Sequence, residues 1–141
     1  MVENRSVPSP AVIPILAYSD VAEATDWLCN AFGFKVRLRI GSHRAQLVFG
    51  DGAVIVTGVG SERAAEASFA RHSVHVRVED ADRHHEQAVR CGARILSAPT
   101  DYPYGERQYG AEDLGGHRWT FSQSIADVDP ASWGASSIDI A

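Results

Sequence analysis

Six histidines, four tyrosines and thirteen lysines and arginines are the groups through which this 141-residue chain offers chemistry. His75 stands out because it alternates with Ser73 and Arg77 along a strand-like run whose other face is Val74, Val76 and Val78. A histidine placed so on a central strand is either a ligand-contacting or acid–base group, or a hydrogen-bonded interior residue. Arg118 and Thr120 share the polar face of a second run, opposite Trp119 and Phe121. Tyr102, Tyr104, Arg107 and Tyr109 cluster just before it. They suit an aromatic wall for a flat ligand, or plain hairpin packing with Arg107 paired to Glu106 or Asp113. These eight residues are the expected ligand-binding set; no catalytic residue is assigned.

The remaining histidines read as structural or solvated. His43 falls in a turn and His72 in a linker. His117 follows Gly115-Gly116 and is expected to hydrogen-bond its own hairpin. His84-His85-Glu86 reads as the solvated face of a helix. Cys29 and Cys91 read as two packed free thiols in a reducing cytoplasm, and no histidine is placed to activate either as a nucleophile. No phosphate loop or dinucleotide fingerprint is present; Gly58-Val-Gly60 alone carries nothing.

Behind these residues stands a pattern that occurs twice. Asp20, an N-cap with Glu23 at capping-box spacing, opens a helix-like stretch closed by Phe32-Gly33. Sixty residues on, Asp80 opens another, closed by Cys91-Gly92. In the first, Val21, Ala24, Leu28 and Ala31 recur with helical period; in the second, Ala81, His85, Ala88 and Val89 form a thinner stripe. Strand-like runs precede each, Val12–Tyr18 and Val74–Val78. Val12–Tyr18 is apolar on both faces, as a central strand is, although Pro14 suggests an edge or bulge. Strands follow: Val36, Leu38 and Ile40 oppose Lys35, Arg37 and Arg39, and Ala93–Leu96 answers in the second half. Each half ends in a strand launched from a glycine turn, Ala53–Thr57 and His117–Gln123. The apolar faces are expected to carry the helices and the polar faces to line a cup. Gly58–Ala70 reads as the linker, Ala98–Gly105 as a turn-rich loop, and residues 124–141 as a tail in which Trp133 packs.

Length suits one domain, 1–141, with modules at about 11–58 and 73–123. Hydrophobic residues at 45% and charged ones at 22% are ordinary for a soluble globule. No apolar run reaches the roughly twenty residues of a membrane helix, and the polar, proline-bearing start is no signal peptide. A formal net charge of −5 argues against nucleic acid as a partner.

Three segments carry a likeness to a known family: Ile15-Leu-Ala-Tyr-Ser-Asp-Val with Ala31-Phe-Gly-Phe34, Val76-Arg-Val-Glu-Asp-Ala-Asp, and Tyr104 through Phe121. They resemble the vicinal oxygen chelate superfamily of glyoxalases, bleomycin-resistance proteins and dioxygenases. The closing segment looks most like the bleomycin-resistance branch. The resemblance implies an α+β fold of two βαβββ modules and commonly a homodimer. It also implies a divalent metal held by one His, Gln or Glu from each of four strands. The matching positions are Ile13, Val56, Ser73 and Thr120, which make no such set; a slip of register rescues only His75. The expectation is therefore no metal and no cofactor. The chain then reads as a metal-free binding protein that sequesters an aromatic or amphipathic small molecule. The alternatives are a glyoxalase- or dioxygenase-like lyase or isomerase with a divergent site, and a scaffolding module without a small ligand.

Overall fold

The capping signals translate directly into helices. In a computed structural model describing residues 3–58 and 73–135, Asp20 Oδ1 accepts from Glu23 N at 3.0 Å and Asp80 Oδ1 from Arg83 N at 3.1 Å. Helix α1 spans Val21–Phe32 and α2 spans Ala81–Arg90. Gly33, at φ 88°, ends α1 in the left-handed region that glycine enters without a Cβ penalty.

Strands β1 (Ile15–Tyr18), β2 (Lys35–Ile40), β3 (Arg44–Phe49) and β4 (Gly52–Gly58) form one sheet in the order β1-β4-β3-β2. Strands β5 (Val74–Arg77), β6 (Arg94–Tyr102), β7 (Glu106–Glu112) and β8 (Arg118–Ser124) repeat it as β5-β8-β7-β6. In each sheet the first and last strands run parallel and the other pairs antiparallel. The architecture is α+β, two βαβββ modules.

Each sheet has a helix face and an open face. Leu16, Tyr18, Ala45, Leu47, Val54 and Val56 bury toward α1; Tyr109, Ala111, Trp119 and Phe121 join the same core. The modules dock through the end of α1, where Phe32 lies 4.8 Å from the Phe121 ring and 5.4 Å from Trp119. Trp27 Nε1 donates to Cys91 O at 2.9 Å across the same boundary.

Four expectations change. β1 and β5 are both edge strands, so His75 is not central; Pro14, just ahead of β1, marked the edge correctly. A bulge between Val36 and Leu38 splits the alternation of β2. Val36 therefore pairs with Leu47 of the helix face, while Leu38 pairs with Gln46 and turns to the open face. Arg39, across from Ala45, reaches Asp26 of α1 at 3.1 Å. Residues 98–102 belong to β6, so the loop shrinks to a tight turn closed by Gly105 N to Tyr102 O. On α2 the inward residues are Ala81, His84 and Ala88, with Val89 49% exposed. The linker and His72 lie outside the described residues, apart from Gly58, which ends β4.

Candidate ligand-binding site

Edge position makes β5 two-sided. His75 pairs with Thr120 and Arg77 with Ser122, while Val74 and Val76 pair with Trp119 and Phe121. Alternation therefore sends His75 and Arg77 to the open face and the valines toward the helix.

On that open face the polar groups of β7 and β8 form a directed chain. Tyr104 Oη donates to Gln108 Oε1 at 3.1 Å, Gln108 Nε2 to Ser122 Oγ at 3.1 Å, and Ser122 Oγ to Glu106 Oε1 at 2.7 Å. Burial works against the Glu106 carboxylate, yet it titrates below its usual range. The Ser124 and Ser122 hydrogen bonds and the charges of Arg77 and His75 outweigh the burial. Glu106, Gln108 and Ser122 were not among the expected binding residues. Counting by twos from Thr120 and across the hairpin places all three on its face.

On the other side of β5 a cleft of about 970 Å³ opens between the modules. Val12, Pro14, Phe34, Phe49 and Ala53 form one wall, and Val74–Asp80, Arg83 and His84 the other. His84 is fixed in one tautomer. Nε2 lies 2.7 Å from Phe32 O, a carbonyl that only accepts, so Nε2 carries the proton and Nδ1 accepts from the Tyr109 hydroxyl. Burial pushes its pKa below 6.5, against the opposing hydrogen bond to Phe32.

The expected eight residues are thus dispersed. His75 and Arg77 line the cleft and Thr120 faces the open side with them. Tyr109 is a correction: it is fully buried on the helix face, and burial holds its hydroxyl protonated well above pH 10. Arg107 also turns away, since its neighbour Gln108 takes the open face. It pairs with Asp101 at 2.6 Å and Asp82 at 3.2 Å, not with Glu106 or Asp113. Tyr102 stacks on Tyr104 at 5.4 Å, and Tyr104 meets Trp133 at 5.4 Å, so two of the tyrosines pack with the tail, away from the cleft lining. Arg118 is exposed opposite Glu112.

His117 bonds beyond its own hairpin. Its Nε2 meets Ala17 O at 2.7 Å in the first module. Beside it Asp113 accepts four hydrogen bonds: Gly115 N and His117 N on Oδ1, Tyr18 Oη and Trp119 Nε1 on Oδ2.

Residues 11–121 match the family model of the Glyoxalase/Bleomycin resistance protein/Dioxygenase superfamily. The chain belongs to that superfamily. TioX from Micromonospora sp. ML1 superposes with a TM-score of 0.68 at 35% identity, covering 83% of this chain and all of that one. The bleomycin-binding protein of bleomycin-producing Streptomyces verticillus, solved with copper(II)-bleomycin, shares the fold at 20% identity and a TM-score of 0.61, covering 83% and 98%. An uncharacterized protein of Mycobacterium bovis is 24% identical over 132 residues, 85% of this chain and 87% of its own.

The superfamily's metal positions do not suit a metal here. Val56 lies buried on the helix face, so the open-face position on β4 is Ile55, opposite Ile15. Ile13, Ile55, Ser73 and Thr120 offer two aliphatic chains and two weak hydroxyls. Among the described residues, no three His, Cys, Asp or Glu side chains gather closely enough to hold a metal ion.

Proposed function

We propose that the chain is a metal-free small-molecule binding protein of the bleomycin-resistance type, sequestering an aromatic or amphipathic ligand. The observation that carries this reading is the double duty of β5. One side of the strand faces a cleft of about 970 Å³ whose opposite wall is apolar, a size that suits a drug-like molecule. The other side continues into the Tyr104–Gln108–Ser122–Glu106 chain. An amphipathic molecule would lay its apolar body in the cleft and its polar end beside His75 and Arg77. The likeness to the bleomycin-binding protein supports sequestration, although a cup with this charge pattern does not single out bleomycin.

The open faces leave Ile15, Leu38 and Ile40 between 37% and 59% exposed. Apolar residues left open in this way support a homodimer. Among the described residues, no helix is long and apolar enough to cross a membrane. Two free cysteines suit a cytoplasmic protein. The enzyme reading, a lyase or isomerase, draws support from a carboxylate held ionised near His75.

The test is a thermal-shift screen of antibiotics, aromatic metabolites and divalent metals, followed by calorimetry. His75→Ala is expected to weaken the ligand found by roughly 1–3 kcal/mol, the usual cost of an unpaired polar group, with little change in melting. Unchanged affinity with a much lower melting point would make His75 a structural residue and remove the site. One tightly held metal per chain would overturn the metal-free assignment.

A further inference from the structure

The N-terminal segment lies across the open face of the first module. Gln46, between the core residues Ala45 and Leu47, points away from α1, yet it is only 5% exposed. Its Nε2 donates to Ser6 O at 2.8 Å, and its Oε1 accepts from Arg37 Nη1 at 2.6 Å. The second Arg37 nitrogen, Nη2, donates to Arg5 O at 2.9 Å. Two consecutive backbone carbonyls are therefore gripped by one guanidinium–amide pair. Pro8 is buried, and Ile55, also on the open face, is only 9% exposed. Arg37 reaches this position because the β2 bulge interrupts the alternation that would otherwise hold it to one face.

The grip is local. Inside the segment the hydrogen bonds are Ser6 N to Asn4 Oδ1 and Val7 N to Asn4 O, and no sheet ladder includes it. A segment held by so few bonds opens far more readily than the strands beneath it. The open-face neighbours of Gln46 are apolar: Ile55 and Leu38 pair with it across the sheet, and Ile15 pairs with Ile55.

We infer that residues 4–8 are a displaceable cover over the first module's open face, latched by Arg37 and Gln46 and released when an apolar molecule occupies that face. This goes beyond the ligand site proposed around β5, because the covered face belongs to the other sheet.

The experiment uses the full chain and the aromatic dye 1-anilinonaphthalene-8-sulfonate. Trypsin cutting of the Arg5–Ser6 bond, followed by mass spectrometry, reports whether the cover is open. In Arg37→Gln the bond is expected to be cut about tenfold faster, as loss of a charge-assisted hydrogen bond allows. Dye affinity should rise by a similar factor. Saturating dye should speed cutting of the unaltered chain several-fold and of Arg37→Gln little. Pro8→Ser, which removes a buried contact without touching the sheet, should reproduce both effects. Equal dye affinity in all three proteins, or cutting that dye does not change, would overturn the cover. Neither result bears on the β5 site, which His75→Ala tests separately.

Discussion

Two of the places where the modules meet are related by the internal repeat and differ in chemistry. Tyr18 stands two residues before the Asp20 cap, and Val78 two before the Asp80 cap. Tyr18 ends against the β7–β8 turn, where Asp113 gathers four donors and His117 bonds Ala17 O. Val78 faces the β3–β4 turn, where Phe49 pairs with Gly52 and Phe49 occupies the place of Asp113. One junction is closed by directional hydrogen bonds around a carboxylate. The other has Phe34, Phe49 and Val78 in its lining and opens as a cleft. The difference teaches a division of labour: the polar junction helps to fix how the modules sit, while its counterpart stays open as a cleft.

Asp113→Ala breaks this contrast most severely. Asp113 is 6% exposed, and its loss strands the Tyr18 hydroxyl, the Trp119 indole and two backbone N–H groups. Destabilisation of about 3–5 kcal/mol is expected, measured by urea unfolding; a loss below about 1 kcal/mol would mean that the carboxylate does not hold the junction.

Gly115→Ala attacks the same junction by volume. An added Cβ would sit 2.5 Å from Tyr18 Cδ1. Overpacking of this kind costs about 1–3 kcal/mol. At Gly50, in the opposing turn, a Cβ meets nothing within 4 Å, and only its φ of 57° opposes substitution. Gly50→Ala should therefore cost about 1 kcal/mol. Equal losses at the two glycines would remove the asymmetry.

The repeat, both caps and the apolar stripe of α1 were legible because they rest on local rules: a side-chain oxygen three residues before an N–H, and a period of 3.6. The valine face of β5 and the Trp119–Phe121 face were legible from alternation. What was not legible depends on partners distant in sequence. The β2 bulge shifts Leu38 and Ile40 to the open face without any proline or glycine to announce it. His84 looked solvated, but its two ring nitrogens are satisfied by Phe32 and Tyr109, 52 and 25 residues away. Tyr109 looked like a rim residue because its loop is rich in tyrosine, although the hairpin register opposes it to Phe121 and sends it inward. Of the candidate site, the sequence showed His75 and Arg77. The Glu106 chain required knowing which strands are neighbours.

Tyr109→Phe makes a smaller change beside the cleft. It leaves His84 Nδ1 without its donor and keeps the ring packed at 5.2 Å from Phe121. A loss of about 1 kcal/mol is expected. No loss would show that Nδ1 finds water from the cleft instead.

The smallest effect, and the one that separates the junctions most cleanly, is pH dependence. His84 titrates below 6.5 in the folded chain, chiefly because burial disfavours the imidazolium. The unfolded chain therefore binds the proton more readily, and stability falls as pH drops through about 6.5 toward the folded value. Tyr18 behaves in the opposite sense. Burial, then the Asp113 charge and hydrogen bond, raise its pKa above the ordinary 10. Its contribution is present below pH 10 and is lost as pH rises beyond it. Burial raises Tyr109 as well, so the alkaline limb is shared by two tyrosines. Urea midpoints between pH 5 and 11 are expected to decline at both ends. His84→Gln should flatten the acid limb near pH 6 and leave the alkaline one, while Tyr18→Phe should reduce only the alkaline limb. An acid limb that survives His84→Gln would place its origin in the carboxylates, whose window lies lower because Glu106 and Asp101 are held below their ordinary values.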